Sequence, residues 1–359
     1  MSTQDPSSST DTRRSFLARG AAVGAGAGLL GAFAAPTAAT AGGSTNTSGG
    51  SAGLPQKATK GDVAVLKFLA AAELVEDDLW QQYCELAVGN RRYRRALERI
   101  DPSLIRYICD DRDDERSHAL LINAYLESIG EAPINLDAFR TLPGSRSEGS
   151  EQRGRLTNLT DLTIDTSWYT RYRSQGNPDF GDSFPQIADL NGVAAIPVAP
   201  RGPGGSDRAQ SQAHASLFHF NAIEQGGGSL YTNLLSKVTS LDAVIILSSI
   251  GPVEVYHFAA FHKSLENLRA FDGFGVSNPN LRRDVDTAQA IFPEPAKFFA
   301  DGFPLTSVIR PRSDENAGAV ASATGLVKSG LFKGQPQAFF DAVVALATAA
   351  DAAVRGETD

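Results

Sequence analysis

A chain of 359 residues with 42% hydrophobic content can bury a full core and leave material for additions, so one main domain with elaborations is the starting expectation. The net charge of −8 argues against a nucleic-acid footprint and against an anionic membrane surface as partners.

Residues 1–41 read as an address. Thr12-Arg13-Arg14-Ser15-Phe16-Leu17 places two arginines before Phe-Leu, an Ala/Gly-rich, weakly apolar run follows from Gly20 to Ala35, and Ala39-Thr40-Ala41 offers a small-residue cleavage site. This is the pattern of a twin-arginine signal. It implies the translocation machinery as a transient partner and an exported product in the periplasm, envelope or medium. The apolar run is too short and too rich in glycine for a stable membrane span once cleaved. Residues 42–60, rich in Gly, Ser and Thr, predict a flexible linker.

The ordered part is expected to begin near Asp62, in a first helix whose seam reads Leu66, Leu69, Glu73, Glu76, Trp80, Tyr83 and Ala87 and which stops at Gly89-Asn90. Two carboxylates therefore stand among core positions. A second helix is predicted from Asp101-Pro102, with the seam Leu104, Ile108, Asp111, Glu115, His118, Ile122, Tyr125 and Ile129, and an end at Gly130. The next 136–207 segment is too long for an ordinary connection between bundle helices, and the expectation is a crossover that covers the bundle. A third helix carries Leu217, Phe220, Glu224, Tyr231, Leu234 and Val238, with Gly226-Gly227-Gly228 in its middle. Glycines there cost about 1 kcal/mol each against alanine, so close packing or a local distortion must compensate. A fourth helix from Ser240 presents Leu247, Ile250, Glu254, His257, Phe261, Leu265 and Leu268, with Pro252 expected to kink it. Residues 271–335 read as an irregular extension, and 336–354 as one further helix docked on the bundle.

Each of the four helices places an acid in an otherwise apolar seam, and the second and fourth add a His three residues later. Residues at i and i+3 share a helix face, so Glu115 with His118 and Glu254 with His257 can serve one metal pair, completed by Glu73 and Glu224. That set, with Glu76 as an alternative, matches the ligand arrangement of di-iron and di-manganese carboxylate bundles. Without cations, four buried carboxylates would cost several kcal/mol each or stay protonated. A short internal repeat supports Glu73 over Glu76. Glu73 is followed by Leu79-Trp80 and Glu224 by Leu230-Tyr231 at the same offsets, which would put Trp80 and Tyr231 beside the metals unless they are simple core.

The segments AAELVEDDLW, DDERSHALLINAYL, AIEQGGGSLY and GPVEVYHFAAFHKSLE resemble those of ferritin-like domain proteins, in the group that includes plant desiccation-related proteins. The resemblance implies an all-α, antiparallel four-helix bundle with a long crossover between helices two and three, an additional C-terminal helix, and a dimetal centre of Fe or Mn. The expected activity is redox handling of oxygen or peroxide, with a non-enzymatic stress or metal-binding protein as the alternative. Oligomers are compatible with either.

The remaining candidates are Cys84, Cys109 and three histidines off the matched positions, His214, His219 and His262, expected at the surface or in the core. If Glu73 and Glu115 lie at one level on antiparallel helices, the cysteines stand about 16 Å and 9 Å along the axis, and the gap of about 7 Å argues against a disulfide.

Overall fold

The computed structural model describes residues 57–166, 190, 192–199, 205–265, 295–296, 302–308 and 318–357, which belong to one compact unit, Leu54–Asp359. The signal and all but the end of the linker lie outside the described residues, as does much of the crossover and of the 271–335 extension. Among the described residues the chain is mostly helical, in agreement with an all-α class. The described residues form seven α-helices, and the paired strands among them are the two-residue segments Pro295–Ala296 and Thr306–Ser307.

Helix α1 runs Lys60–Gly89. Thr59 and Asp62 close a capping box at its start, and the Asp62 carboxylate also accepts from the backbone N–H groups of Thr239 (2.6 Å) and Ser240 (3.0 Å). One buried acid thus fixes two helix starts. Helix α2, Arg91–Ile100, is a short element absent from the sequence reading. It turns Tyr93, Ala96, Leu97 and Ile100 inward and leaves its arginines outside. Helix α3 spans Leu104–Ser128, starting two residues later than Asp101-Pro102 suggests, because Asp101 accepts from the Ser103 N–H in a turn before the helix. Gly130, at φ +86°, ends this segment as expected.

Helix α4 is Gly205–Leu235 and α5 is Leu241–Leu265. Helix α5 continues through Pro252, and the carbonyl that Pro252 leaves without its usual donor belongs to exposed Ser248, where water can take over. By length and hydropathy alone α5 would suit a membrane, yet its inward face carries Glu254, His257 and His262. Helix α1 packs along α3 and α4 along α5, with α3 also meeting α5.

The segment 271–335, read as irregular, contains a helix, α6, Ala319–Ser329, and the expected further helix follows it as α7, Gln337–Ala352. Helix α7 lies against α1. The first part of the crossover is also pinned to α1. Asp78 accepts from the backbone N–H of Leu156 (3.0 Å) and Thr157 (2.9 Å) and from Arg140 (2.7 Å), while fully buried Arg155 pairs with Glu85. Helix α1 is therefore enclosed on several sides, with Trp80, Tyr83 and Leu86 deep in one apolar cluster and Val65, Leu66 and Leu69 in the other.

Candidate metal centre

All six residues singled out by spacing arrive at one place. Glu73, Glu115, His118 and Glu254 form one group whose ligand atoms lie within 4.8 Å of one another, and Asp111, Glu115, Glu224 and His257 form a second on the same criterion. Glu115 belongs to both. Asp111, a seam residue in the sequence whose place in the site was open, is thus a full member of the second group. The pairing across helices differs from the simplest reading: Glu254 groups with His118 rather than with its own neighbour His257.

Nδ1 is the inward nitrogen of both imidazoles. His118 Nδ1 stands 3.0 Å from Glu115, 3.4 Å from Glu73 and 3.6 Å from Glu254. His257 Nδ1 stands 3.1 Å from both Glu115 and Glu224 and 3.3 Å from Asp111. On the other side of that ring, Nε2 lies 3.3 Å from the Asp114 carboxylate. Asp114 is a residue the seam pattern misses: it precedes Glu115 on α3, and its role shows only once α5 is alongside. Tyr231 donates its hydroxyl to Glu73 Oε1, so this aromatic does sit beside the centre. Trp80 does not share that role; it stacks on Phe261 and packs against Phe220 and Tyr83 as core.

The glycine run has a steric cause. A Cβ on Gly227 would stand 2.5 Å from Glu254 Oε2, and one on Gly251 would stand 2.7 Å from the Tyr231 Cβ. A methyl at Gly227 would displace the Glu254 carboxylate and one at Gly251 would press on the Tyr231 Cβ, so these two glycines let α4 and α5 pack closely with Glu254 in its present place.

The electrostatics are those of acids confined together. Burial, followed by repulsion from Glu115, pushes Glu73 up to about 8. Burial lifts Glu224 to about 7 against the pull of His257, and burial with neighbouring acids drives Asp111 and Glu254 well above the usual range. For His118, burial favours the neutral ring, but hydrogen bonds to Glu115 and Glu73 overcome it and raise the group to about 10. Glu115, held between both imidazoles, is pulled well below the ordinary value despite its burial. Glu76, one turn from Glu73, feels the cluster too: burial and then Glu115, Glu73 and Glu224 raise it strongly.

Five carboxylates thus face two imidazoles. Seven of their oxygens, Glu73 Oε2, both of Asp111, Glu115 Oε1, Glu224 Oε1 and both of Glu254, are buried without a hydrogen-bond partner. Orphaned buried acceptors of this kind call for cations. The donor set is oxygen and nitrogen with no thiolate, which argues against ions that demand sulfur ligands.

The expectation about the cysteines is overturned. Cys84 and Cys109 are joined in a disulfide, their Cα atoms 5.0 Å apart. The error lay in the assumed register. With Cys84 opposite Cys109 on antiparallel helices, Glu73 stands opposite Leu120 rather than Glu115, an offset of five residues or about 7 Å, and the long glutamate side chains span the difference. His214, His219 and His262 are all buried. His219 Nδ1 lies 2.6 Å from the Tyr83 hydroxyl, and burial alone takes it down to about 3.

Comparison of the chain with family models, curated proteins and solved structures returned no match.

Proposed function

We propose that this chain is an exported ferritin-like protein whose buried centre holds two iron or manganese ions and handles oxygen or peroxide. Helices α1, α3, α4 and α5 would be its four-helix bundle, with the crossover between α3 and α4. The observation that carries the reading is the set of seven buried carboxylate oxygens that accept no hydrogen bond, gathered from four helices. Four of them, Glu73 Oε2, Asp111 Oδ1, Glu115 Oε1 and Glu254 Oε1, face an imidazole Nδ1 at 3.1–3.6 Å. The ions, when bound, would supply reversible redox chemistry that the amino acids lack.

The chain's own part is to orient and to exclude water. Asp114 on His257 Nε2 fixes the tautomer that leaves Nδ1 free to ligate, and Tyr231 holds one oxygen of Glu73. Export is supported by the twin arginines and by the Cys84–Cys109 disulfide, a linkage that persists in oxidising compartments.

The test is metal per chain by mass spectrometry on protein purified without chelators. The expected content is about two ions, as in dimetal carboxylate bundles. Glu115→Ala, which removes the carboxylate common to both groups, is expected to lose both; Asp111→Ala and Glu254→Ala should each lose one. Absence of metal from the unaltered protein would reduce the chain to a helical scaffold. Bound metal without oxygen or peroxide turnover would instead assign the centre a structural part.

A further inference from the structure

A cavity of about 880 Å³ opens beside the centre, within the usual 300–1,000 Å³ of small-molecule sites. Helices α1 and α4 form its inner walls, with Ala72 and Val75 on one side and Ala222 and Ile223 on the other. Its outer walls come from the additions to the bundle: Leu162 and Ile164 of the crossover, with Ala321 and Leu326 of α6. Small residues stand where larger side chains would fill the space. The exposed end carries Asp161, Thr163 and Lys328, whereas Glu76, whose carboxyl is buried, lines the side toward the centre. Beside Glu76, Gly227 also lines the cavity, and its backbone lies against the Glu254 carboxylate, a Cβ there standing 2.5 Å from Glu254 Oε2. The cavity thus borders the centre through Glu76 and Gly227, and the donor residues themselves do not line it.

We infer that this cavity binds an elongated, hydrocarbon-rich organic molecule, its polar head at the Lys328 rim and its apolar tail against the Glu76 end. Resting on the metal reading above, the inference names the substrate class: the tail end is presented to the dimetal centre. A cavity of this volume is not needed to admit oxygen or peroxide. Nor does a bundle that only stores metal require one. The walls drawn from the crossover and from α6 give those additions a purpose, since without them the α1–α4 face would be an open groove.

The experiment uses the full exported protein, stripped of metal by chelator, with the fluorescent probe N-phenyl-1-naphthylamine and competing dodecanoic acid. Saturable probe binding, displaced by the acid, is expected, and Ala321→Trp or Ala222→Phe should weaken it by at least about tenfold. In the unaltered protein, dodecanoic acid bearing a tail diazirine should cross-link within residues 72–79 and 219–230, which needs no variant to fold. Probe binding that survives both substitutions, no binding at all, or adducts confined to other surfaces would overturn the inference. Because the measurement is made without metal, failure of the metal reading would leave this result standing, and the reverse also holds.

Discussion

At the residue scale the centre depends on how each donor atom is aimed, and Asp114 illustrates this best. A ring nitrogen bonded to a carboxylate is locked in one tautomer and made more basic, and losing such a partner commonly costs 10- to 100-fold in metal affinity. Asp114→Asn is therefore expected to weaken metal binding by about that factor in a chelator competition, with little change in helical content because Asp114 is only partly buried. Gly227→Ala should act more severely, since its new methyl would collide with Glu254 Oε2. The acids and histidines of the site were legible in the sequence because i,i+3 spacing on a seam is a one-dimensional signal. Asp114 was not, because its partner is on α5, and nothing in the DDERSH run distinguishes it from a solvated acid.

At the element scale the register of α1 against α3 is held by a covalent link outside the donor cluster, with Cys109 two residues before Asp111. The Cys84–Cys109 link closes a sequence separation of 25 residues, and a loop of that size stabilises by about 3 kcal/mol. Cys84→Ser is expected to lower the unfolding free energy by about that amount in denaturant titration, and a reductant should reproduce the loss. Helix α1 also anchors the crossover by a buried pair. Arg155→Ala would take the cation from the buried Glu85 carboxylate and leave it the Ser150 hydroxyl and the Glu151 N–H, at a cost of up to about 3 kcal/mol, whereas the Glu151 side chain, already half exposed, should tolerate Ala with little effect. The four long helices were readable from periodicity to within a few residues at most ends. Helix α3 starts late because a local turn competes at Asp101. Helices α2 and α6 were missed since both are short and one is dominated by arginines, so neither has a repeating apolar seam long enough to register. The crossover's attachment to Asp78 and Glu85 was invisible for a different reason: polar residues on a helix back read as solvated until a distant segment covers them.

At the scale of the whole molecule, the metal-free fold carries a strain that its pH dependence should expose. Glu73, at about 8, and Glu224, at about 7, bind protons more tightly in the folded chain than at the ordinary 4.5, and His118, at about 10, does so relative to 6.5. A group whose folded value is raised contributes stability that is complete below its unfolded value and fades as pH rises through the folded one. Glu115 shifts the other way, but its contribution is lost only as pH falls below 4.5. Buried His214 and His219, at about 4 and about 3, act the other way below pH 6.5, so it is between about pH 6.5 and pH 8 that the shifts share one sign and the metal-free protein should melt at progressively lower temperature. Cations reverse the balance, because the protons that stabilise the empty cluster must leave when the carboxylates ligate, so metal affinity rises over the same interval. Calorimetric melts of metal-free and metal-loaded protein at pH 5, 6, 7 and 8 should show the gap in melting temperature widening steadily upward. A constant gap would mean that the carboxylates do not exchange protons for metal, and the four helices would then owe their convergence to packing alone.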